Sequence, residues 1–444
     1  MSEPFSIFEA AAEAPQAVGL RCQGRDYSFS QLAVLTQNAI NRMESAGALP
    51  ATGLPYILEG TNTVETLVDL YALLALRIPA LMLHPKLTAT ERRVLLESLQ
   101  NIREPLPENT AAVLFTSGTT GLPKPAIITR DMLLASATAS AQNLGWEEGD
   151  CWQLCMSVTR IGGLSILTRC LMARKTLAIS PLFSPESFVK ALDEDRVTIT
   201  SIVPTMLAKV FETYPDWRCP PRLRVLLLGG SSAGDKLLAR AYRAHLPIIT
   251  TYGMTETCSH IVMTPYEERF ERQSGSGKVV SNARVRIRNG QIEVCSAMNT
   301  PGYWGRPRLL DPWFETGDLG EFDSDGVLHV YARRQDLILS AGENVYPLEV
   351  ENLLTRSPFI KEALVIGEPD ETWGAIVCAL IVAEAGTHPS IEDIRRFCKE
   401  NLSAYKCPRK IAIVQSLPVN AADKPDRRPQ VLERFDLQTV HYKH

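Results

Sequence analysis

The segment RLRVLLLGGSSAGDKLLARAYRAH, residues 222–245, contains a short apolar run, a turn of small residues and then a helical pattern. The segment VTITSIVPTMLAKVFETY, residues 197–214, likewise runs from a strand into a helix, and IITTYGMTE, residues 248–256, is a strand that leads into a loop. Repeated strand–helix units are typical of folds in which most strands lie parallel and helices cover the sheet. The sequence therefore predicts a large α/β domain.

The pattern changes in the last third of the chain. Asn289-Gly290 separates two alternating segments within ARVRIRNGQIEVCS, residues 283–296, which is a strong signal for a β-hairpin. A second turn follows in FDSDGVLHVYAR, residues 322–333, and a compact α+β segment continues to the end. We expect an N-terminal domain of residues 1–334, which includes a β-rich subdomain, and a small α+β C-terminal domain of residues 335–444.

The composition is that of a soluble globular protein. The chain has 444 residues, of which 45% are hydrophobic and 22% are charged, and its formal net charge is −4. No basic excess indicates binding to nucleic acid or to an anionic membrane. The most apolar early segment, residues 67–83, contains Asp69, Arg77 and Pro79 and predicts a buried helix followed by a strand, not a membrane span. We expect a cytoplasmic protein without a signal peptide.

The ten cysteines lie mostly in apolar surroundings, and none has cysteine or histidine partners at zinc spacing. They predict reduced and mostly buried side chains. None of the seven histidines lies beside a serine or cysteine in a nucleophile signature. The sequence thus supports neither a structural zinc site nor a hydrolase triad.

The segment SVTRIGGLSILTRCLMAR, residues 157–174, carries Arg160 and Arg169 among apolar residues. From Gly163 onward it predicts a helix that is apolar nearly all round and is therefore buried. A buried guanidinium is costly unless an anion pairs with it. That anion is either an acidic side chain of the protein or a group that arrives with a substrate, and the residues alone leave both open.

The strongest local signal is VLFTSGTTGLPKPA, residues 113–126, in which an apolar strand leads into a loop of glycines, hydroxyl side chains and Lys124. Small residues let backbone N–H groups approach an anion, hydroxyls add donors and lysine adds charge. The loop does not fit the Walker A pattern. It predicts a phosphate-binding loop, although a loop of this composition is also common as an ordinary turn.

Five segments together resemble the motifs of the adenylate-forming superfamily, which contains acyl-CoA synthetases, luciferases and peptide-synthetase adenylation domains. They occur in the order and spacing of that family and extend the resemblance from about residue 20 to residue 430. The segments are TSGTTGLPKPA (116–126), TYGMTETCS (251–259), ETGDLGEFDSDGVLHVYARRQDLI (315–338), SAGENVYPLEVE (340–351) and LPVNAADKPDRR (417–428).

The resemblance implies an ATP site. In it, Tyr252 would face adenine, Thr255 would donate to the α-phosphate, and Asp318 would accept both ribose hydroxyls with help from Arg333. Glu256 would supply an oxygen ligand for Mg²⁺, which binds through few carboxylates together with phosphates. The residues expected to bind ATP are Thr116, Ser117, Gly118, Thr119, Thr120, Gly121, Lys124, Gly229, Gly230, Tyr252, Gly253, Asp318 and Arg333.

The resemblance also implies two half-reactions, acyl-adenylate formation and transfer of the acyl group to coenzyme A. Lys424 would orient and neutralise the carboxylate and the phosphate oxygens in the first step, with Thr255 and Glu256 as the other catalytic residues. The small domain would then rotate about a hinge at Gln335 or its neighbour Asp336. The loop that contains Ala341 and Gly342 would line the tunnel for coenzyme A.

The chain departs from the family pattern at several positions. Alanine stands at 332 and 341 where relatives carry glycine, and Asp423 precedes Lys424 where glycine is common. Arg160 occupies the position of a histidine found in many members. These changes bear on the rate and on the step with coenzyme A more than on ATP binding.

In their sequences, these motifs are most similar to those of the o-succinylbenzoate–CoA ligases of menaquinone synthesis. Their substrate is an aromatic dicarboxylate, and Arg169 would bind the carboxylate that does not react. Arg160, Gly163 and Ser231 would complete the acyl site. Alternatives are a ligase for another aromatic or acyl acid, an enzyme that loads a carrier-protein thiol, and a nucleotide-binding protein with impaired ligase activity. We expect the acid, ATP and coenzyme A as partners, no nucleic acid and no integral membrane segment, and leave homo-oligomer formation open.

Overall fold

The computed structural model describes most of the chain, and its residues form two compact units. The described ranges are 3–51, 53–116, 123–180, 183–231, 233–271, 275–340, 343–371, 373–420 and 425–442. The first unit comprises residues 1–232, 241–285 and 294–314, and the second comprises residues 233–240, 286–293 and 315–444. The domain boundary at Gln335 remains a prediction.

Serine or threonine directly precedes most of the helices as the N-cap residue, because its side-chain oxygen accepts a hydrogen bond from a backbone N–H of the first turn. Ser28 and Thr129 do so for the second and fifth helices. The helices are α1 Ile7–Glu13, α2 Phe29–Ser45, α3 Val64–Leu76, α4 Ala89–Leu99, α5 Arg130–Leu144, α6 Ile161–Ala173, α7 Pro185–Glu194, α8 Pro204–Thr213, α9 Asp235–Arg243, α10 Pro347–Leu354 and α11 Ile391–Asn401.

Short strands alternate with these helices through the first unit and dominate the second. The strands are β1 Val18–Cys22, β2 Arg25–Ser28, β3 Tyr56–Glu59, β4 Ala80–Leu83, β5 Thr110–Thr116, β6 Lys124–Thr129, β7 Cys151–Leu154, β8 Thr176–Ile179, β9 Ile199–Ile202, β10 Val225–Leu228, β11 Ile248–Met254, β12 Ser259–Met263, β13 Lys278–Val279, β14 Ala283–Arg288, β15 Gln291–Ser296, β16 Phe314–Phe322, β17 Leu328–Arg333, β18 Ile338–Ser340, β19 Glu343–Val345, β20 Ile360–Asp370, β21 Gly374–Ala383, β22 Lys410–Ile413 and β23 Gln438–Thr439.

The first unit contains a nine-stranded sheet in the order β13-β12-β11-β10-β9-β7-β8-β1-β2. Its six strands from β11 to β1 run parallel, and the strands at its two edges pair antiparallel. A second sheet has the order β3-β4-β5-β6, with β6 antiparallel to β5. Central strands such as Val225–Leu228 are buried along their whole length, as parallel strands between helix layers are. The predicted α/β fold class is confirmed.

The two-residue turn at Asn289-Gly290 confirms the predicted hairpin between β14 and β15. Both turn residues have positive φ, 52° and 75°, which matches the right-handed twist of the flanking strands. These strands belong to a sheet of order β14-β15-β16-β17, of which residues 286–293 and 315–333 lie in the second unit.

A six-stranded sheet forms most of the second unit, in the order β19-β18-β21-β22-β23 with β20 paired to β21. Val350 of α10 and Ile394 and Cys398 of α11 pack in one apolar cluster against its strands. A separate cluster includes Val431 and Leu432, which follow the last predicted motif. The predicted α+β character of this region is thereby confirmed.

Two apolar segments of the first unit are core elements. Residues 67–83 form α3 and β4, as the helix-then-strand prediction requires. In the described parts of the chain, no helix combines the length and the apolar character that crossing a membrane requires. Helix α6 begins at Ile161, two residues before the predicted start, and buries most of its side chains. All ten cysteines, each in a described part of the chain, are free.

Candidate active site

The β5–β6 hairpin places Thr116 opposite Lys124. The two residues are paired in the antiparallel register, and the Thr116 hydroxyl lies 3.5 Å from the Lys124 carbonyl oxygen. Both side chains are half-buried. The loop residues between them that were predicted to bind phosphate lie outside the described residues: Ser117, Gly118, Thr119, Thr120 and Gly121. The hairpin therefore shows where the loop begins and ends.

Tyr303 links Lys124 to Glu256. The ammonium of Lys124 lies 5.4 Å from the centroid of the Tyr303 ring, within the range of a cation–π contact. The Tyr303 hydroxyl donates a hydrogen bond to Oε1 of Glu256 at 2.9 Å. Tyr303 is itself held beside β6 by a backbone bridge to Ala126. One aromatic side chain thus brings together the predicted phosphate-binding lysine and the predicted magnesium ligand.

Glu256 lies in a single 3₁₀ turn, Thr255–Thr257, directly after β11. The Met254 N–H donates to the Thr257 hydroxyl at 3.0 Å and closes this turn. The backbone oxygen of Glu256 accepts a hydrogen bond of 2.7 Å from the Thr300 N–H. The turn is therefore held on both sides, and Thr255 and Glu256 lie together at the carboxyl end of a parallel strand, where open α/β sheets bind their ligands.

The neighbouring strand β10 ends at the same edge of the sheet. Leu228 pairs with Thr250 of β11, so Gly229 follows β10 beside Thr251. A Cβ atom at Gly229 would lie 2.1 Å from the Thr251 hydroxyl oxygen, so a larger residue would force the Thr251 side chain or the strand to shift. Gly230 and Ser231 come next and are exposed, whereas Tyr252 and Gly253 of β11 are half-buried. The structure brings these predicted residues to one edge.

Asp318 and Arg333 face each other in the second unit. They are paired in the register of β16 and β17, and Nε of Arg333 lies 3.5 Å from Oδ1 of Asp318. The Asp318 N–H donates to the Thr316 hydroxyl at 3.1 Å. Asp318 is 6% exposed, so its carboxylate is a fixed acceptor and not a surface turn residue. This arrangement suits the ribose contact that was predicted for both residues.

Arg160 is the N-cap residue that directly precedes α6, and it is half-buried. Its Nη1 lies 3.5 Å from the carbonyl oxygen of Phe115 in β5. Gly163 follows in the first turn, where a Cβ atom would lie 2.3 Å from the Ser157 carbonyl oxygen. Glycine at this position therefore lets the start of α6 approach the preceding loop. The contact of Arg160 with Phe115 brings this end of α6 to β5, the strand that leads into the predicted phosphate loop.

Arg169 is buried two turns further along α6 and is 3% exposed. Its Nη2 donates to the Ser136 hydroxyl at 3.0 Å, and its guanidinium lies 5.7 Å from the Trp152 ring centroid. Its Nε has no hydrogen-bond partner among the residues that the structure describes. Burial lowers the pKa of Arg169 to about 10, so it remains a cation at neutral pH. Among the described residues, no carboxylate pairs with it. The ion pair with an acidic side chain, one of the two alternatives, is absent there.

His260 is a second buried basic group in this region that the sequence did not single out. It is 5% exposed, and its Nε2 has no hydrogen-bond partner in the described part of the chain. Burial, followed by the positive charge of Arg169, lowers the pKa of His260 well below its usual value. The imidazole is therefore neutral, which is expected beside a buried cation.

Several predicted residues cannot be placed in this way. Ala341, Gly342 and Lys424 lie outside the described residues, and Gln335 is exposed in the turn Arg334–Asp336. Conversely, Tyr303 and His260 were missed from the sequence. Tyr303 lies in a segment rich in glycine and proline, and nothing in its local pattern distinguishes it from a loop aromatic.

Two family models match the chain. The AMP-binding enzyme model matches residues 98–304, and the AMP-binding enzyme C-terminal domain model matches residues 349–424. A 2-succinylbenzoate–CoA ligase of Bacillus licheniformis is 32% identical over an alignment of 476 residues, gaps included. The alignment covers 96% of this chain and 98% of the relative. The chain belongs to the AMP-binding enzyme family.

Further members of the AMP-binding enzyme family are similar in sequence and in structure. A 2-succinylbenzoate–CoA ligase of Bacillus mycoides is 37% identical over 336 residues, which cover 72% of this chain and 69% of the relative. The o-succinylbenzoate CoA synthetase of Bacillus subtilis, in complex with its acyl-adenylate intermediate, superposes with a TM-score of 0.87 at 30% identity and covers 99% of both chains. Its complex with ATP and magnesium ion gives a TM-score of 0.85 at 29% identity over 95% of this chain and 98% of that one. The resemblance to the adenylate-forming superfamily is confirmed.

Proposed function

We propose that this chain is an AMP-forming acid–CoA ligase that converts 2-succinylbenzoate to 2-succinylbenzoyl-CoA, the step that serves menaquinone synthesis. In the first half-reaction a carboxylate oxygen attacks the α-phosphorus of ATP, a new O–P bond forms, and pyrophosphate leaves with the electron pair. In the second, the sulfur of coenzyme A attacks the acyl carbon, its proton is lost, and AMP leaves. The observation that carries this proposal is the contact chain from Lys124 through Tyr303 to Glu256.

The described residues of the first unit fit a bound nucleotide triphosphate. Lys124 brings a cation to the end of the predicted phosphate loop, and Thr255 offers a hydroxyl beside Glu256. Gly229 lets β10 end in close contact with Thr251, and the backbone that follows at Gly230 is exposed. Tyr252 of β11 would present its aromatic face to adenine at the same edge of the sheet. In the second unit, Asp318 and Arg333 would hold the ribose.

The donor set also fits Mg²⁺ that arrives with ATP. In the described part of the chain no cluster of three histidine, cysteine or acidic residues could hold a metal ion by itself. Magnesium normally takes one or two carboxylates and completes its shell with phosphates and water. Glu256 would supply that carboxylate, held in orientation by Tyr303. Bound magnesium would neutralise the charge of the phosphates.

Tyr303→Phe is expected to raise the KM for magnesium ATP by about 5- to 10-fold, because the variant removes one hydrogen bond to a charged group. The ring, and with it the contact to Lys124, is retained. The measurement is pyrophosphate release at varied ATP, and the KM for the acid should stay within a factor of two. An equal rise in both constants would contradict a specific role for Tyr303 at Glu256.

Arg169 would bind the carboxylate that does not react. It is a buried cation whose Nε lacks a partner, and no acidic side chain in the described chain neutralises it. Six residues separate it from Gly163, about 9 Å along a helix, which is the scale of an aromatic ring with a short acid side chain. Arg160, Gly163 and Ser231 would line the remainder of the acyl site.

A panel of carboxylic acids tests the proposal directly. Pyrophosphate release would be measured with 2-succinylbenzoate, benzoate, 2-methylbenzoate and a fatty acid, each with and without coenzyme A. We expect the fastest release and the main thioester product with 2-succinylbenzoate, and slower release with the monocarboxylic acids. Faster release with a different acid would favour another acid–CoA ligase, an alternative that the unusual arginine at position 160 supports. Release without thioester would indicate a carrier-protein acceptor, and no release with any acid would indicate a nucleotide-binding protein.

A further inference from the structure

The predicted hinge lies next to a charged contact that no predicted role uses. Asp336 is the last residue of the turn Arg334–Asp336, and its side chain is 23% exposed. Its Oδ2 lies 3.9 Å from Nε of Arg427. At this distance the two groups attract by charge without a hydrogen bond, so the contact can open at small cost.

Arg427 is held in place by partners other than Asp336. Its Nη1 and Nη2 donate to the two carboxylate oxygens of Glu351 in α10, the second bond at 2.8 Å. Nη1 also donates to the Val365 carbonyl at 2.9 Å, and the Val365 N–H donates to Glu351 at 2.7 Å. Such a bidentate arrangement keeps the guanidinium in one orientation.

The backbone next to Arg427 closes the base of the segment that carries Lys424. Val419 and Pro425 form an antiparallel bridge, and the Asp426 N–H donates to the Pro418 carbonyl at 3.0 Å. Arg427 follows Lys424 by three residues. Glu351, which anchors Arg427, therefore also holds the bridged backbone at Val419 and Pro425, next in sequence to Lys424.

The contact between Asp336 and Arg427 borders a cavity of about 150 Å³, which Ile338, Gly367 and Ala375 help to line. A cavity of this size can hold several water molecules. Burial raises the pKa of Asp336 above its ordinary value, while Arg427 and Arg333 act in the opposite direction. The guanidinium thus favours the charged form of the Asp336 carboxylate, and the cavity leaves space for water beside the contact.

We propose that Arg427 is a positioning residue for adenylation, because it couples the base of the Lys424 segment to the hinge carboxylate of Asp336. The inference rests on the proposed function, since it presupposes that Lys424 acts in adenylation and that the chain rotates at the hinge. The pair with Glu351 persists during rotation, because both partners follow the hinge in the chain. Rotation at Gln335 would carry Asp336 and Arg427 together, whereas rotation at Asp336 changes the position of its side chain relative to Arg427. The contact therefore stabilises one conformation of a hinge at Asp336 over the other.

Asp336→Asn, Arg427→Gln and the double variant test this coupling in the full chain. The two half-reactions are measured separately, as acid-dependent pyrophosphate exchange and as thioester formation from preformed acyl-adenylate. Each single variant should change the ratio of the two rates in the same direction, by about 3- to 10-fold. The double variant should change it no more than the larger single effect. Arg427→Lys, which keeps the charge, should restore part of the ratio.

Lys410→Met is the matched control, because it breaks another ion pair of the second unit, the 2.7 Å contact between Lys410 and Glu368. It should leave the ratio of rates unchanged. Single effects that multiply in the double variant would overturn the proposal, as would a fall in Tm for Arg427→Gln without any change of ratio for Asp336→Asn.

Amide hydrogen exchange of residues 334–338 provides a readout that does not need activity. Exchange should accelerate in Asp336→Asn and Arg427→Gln and not in Lys410→Met. Faster exchange in a chain that releases no pyrophosphate with any acid would leave the coupling in place and refute the proposed function. Unchanged exchange together with an unchanged ratio of rates would refute the coupling itself.

Discussion

Lys424→Ala should lower the rate of acyl-adenylate formation by about 10²- to 10³-fold, the loss typical of removing one group that stabilises a developing charge. Attack on the α-phosphorus brings a carboxylate against phosphate oxygens, and a lysine ammonium that contacts both would neutralise and align them. Thioester formation from preformed acyl-adenylate should retain most of its rate, because that step has no carboxylate to orient. The two half-reactions, measured separately, check both statements.

Lys399→Ala is the control for this experiment. Lys399 is an exposed lysine of α11. Its substitution removes one positive charge from the second unit and leaves the last motif unchanged. Both half-reactions should keep their rates. If Lys424→Ala slowed the two half-reactions equally, its assignment to the first step would be wrong.

Arg169→Leu is expected to raise the KM for 2-succinylbenzoate by about 10²-fold, while the KM for a monocarboxylic acid that the enzyme still accepts changes less than threefold. Truncating one partner of a buried, hydrogen-bonded charge pair costs about 2–5 kcal/mol, and only the dicarboxylate makes that pair. Steady-state pyrophosphate release with the two acids measures the difference. Arg169→Lys, which keeps a cation without the bidentate geometry, should give an intermediate KM.

The stability of the same variant separates a ligand role from a structural one. A buried cation without a carboxylate partner is costly to the free protein, so leucine should leave Tm unchanged or raise it. A lower Tm together with an equal rise in KM for both acids would show that Arg169 stabilises the fold through Ser136 and Trp152. It would then have no specific role in binding the substrate.

Much of the fold could be predicted because it depends on neighbours in the sequence. The apolar run at Val225–Leu228 followed by a turn of small residues indicated a strand that leads into a helix. Asn289-Gly290 indicated a hairpin because few residue pairs adopt positive φ in succession. Sheet order is different: β7 lies between β9 and β8 through crossover connections that no local pattern specifies.

The candidate site was predictable where a motif is contiguous and unpredictable where distant segments meet. Thr255 and Glu256 follow β11 directly, so the sequence locates them at the end of a strand. Tyr303, by contrast, reaches Glu256 across 47 residues of chain. Arg427 reaches Glu351 across 76 residues. Both contacts depend on packing between elements, which no local pattern specifies.

The sequence alone determined the strand–helix units, the hairpin, the order of the motifs and the family to which they belong, because each of these depends on residue types at short spacing. It left open which anion accompanies Arg169. Only the tertiary structure decided that no acidic side chain of the described chain does so, since this requires knowing which elements pack around α6. It likewise decided that Tyr303 joins Lys124 to Glu256, because sheet register and loop packing bring those three side chains together.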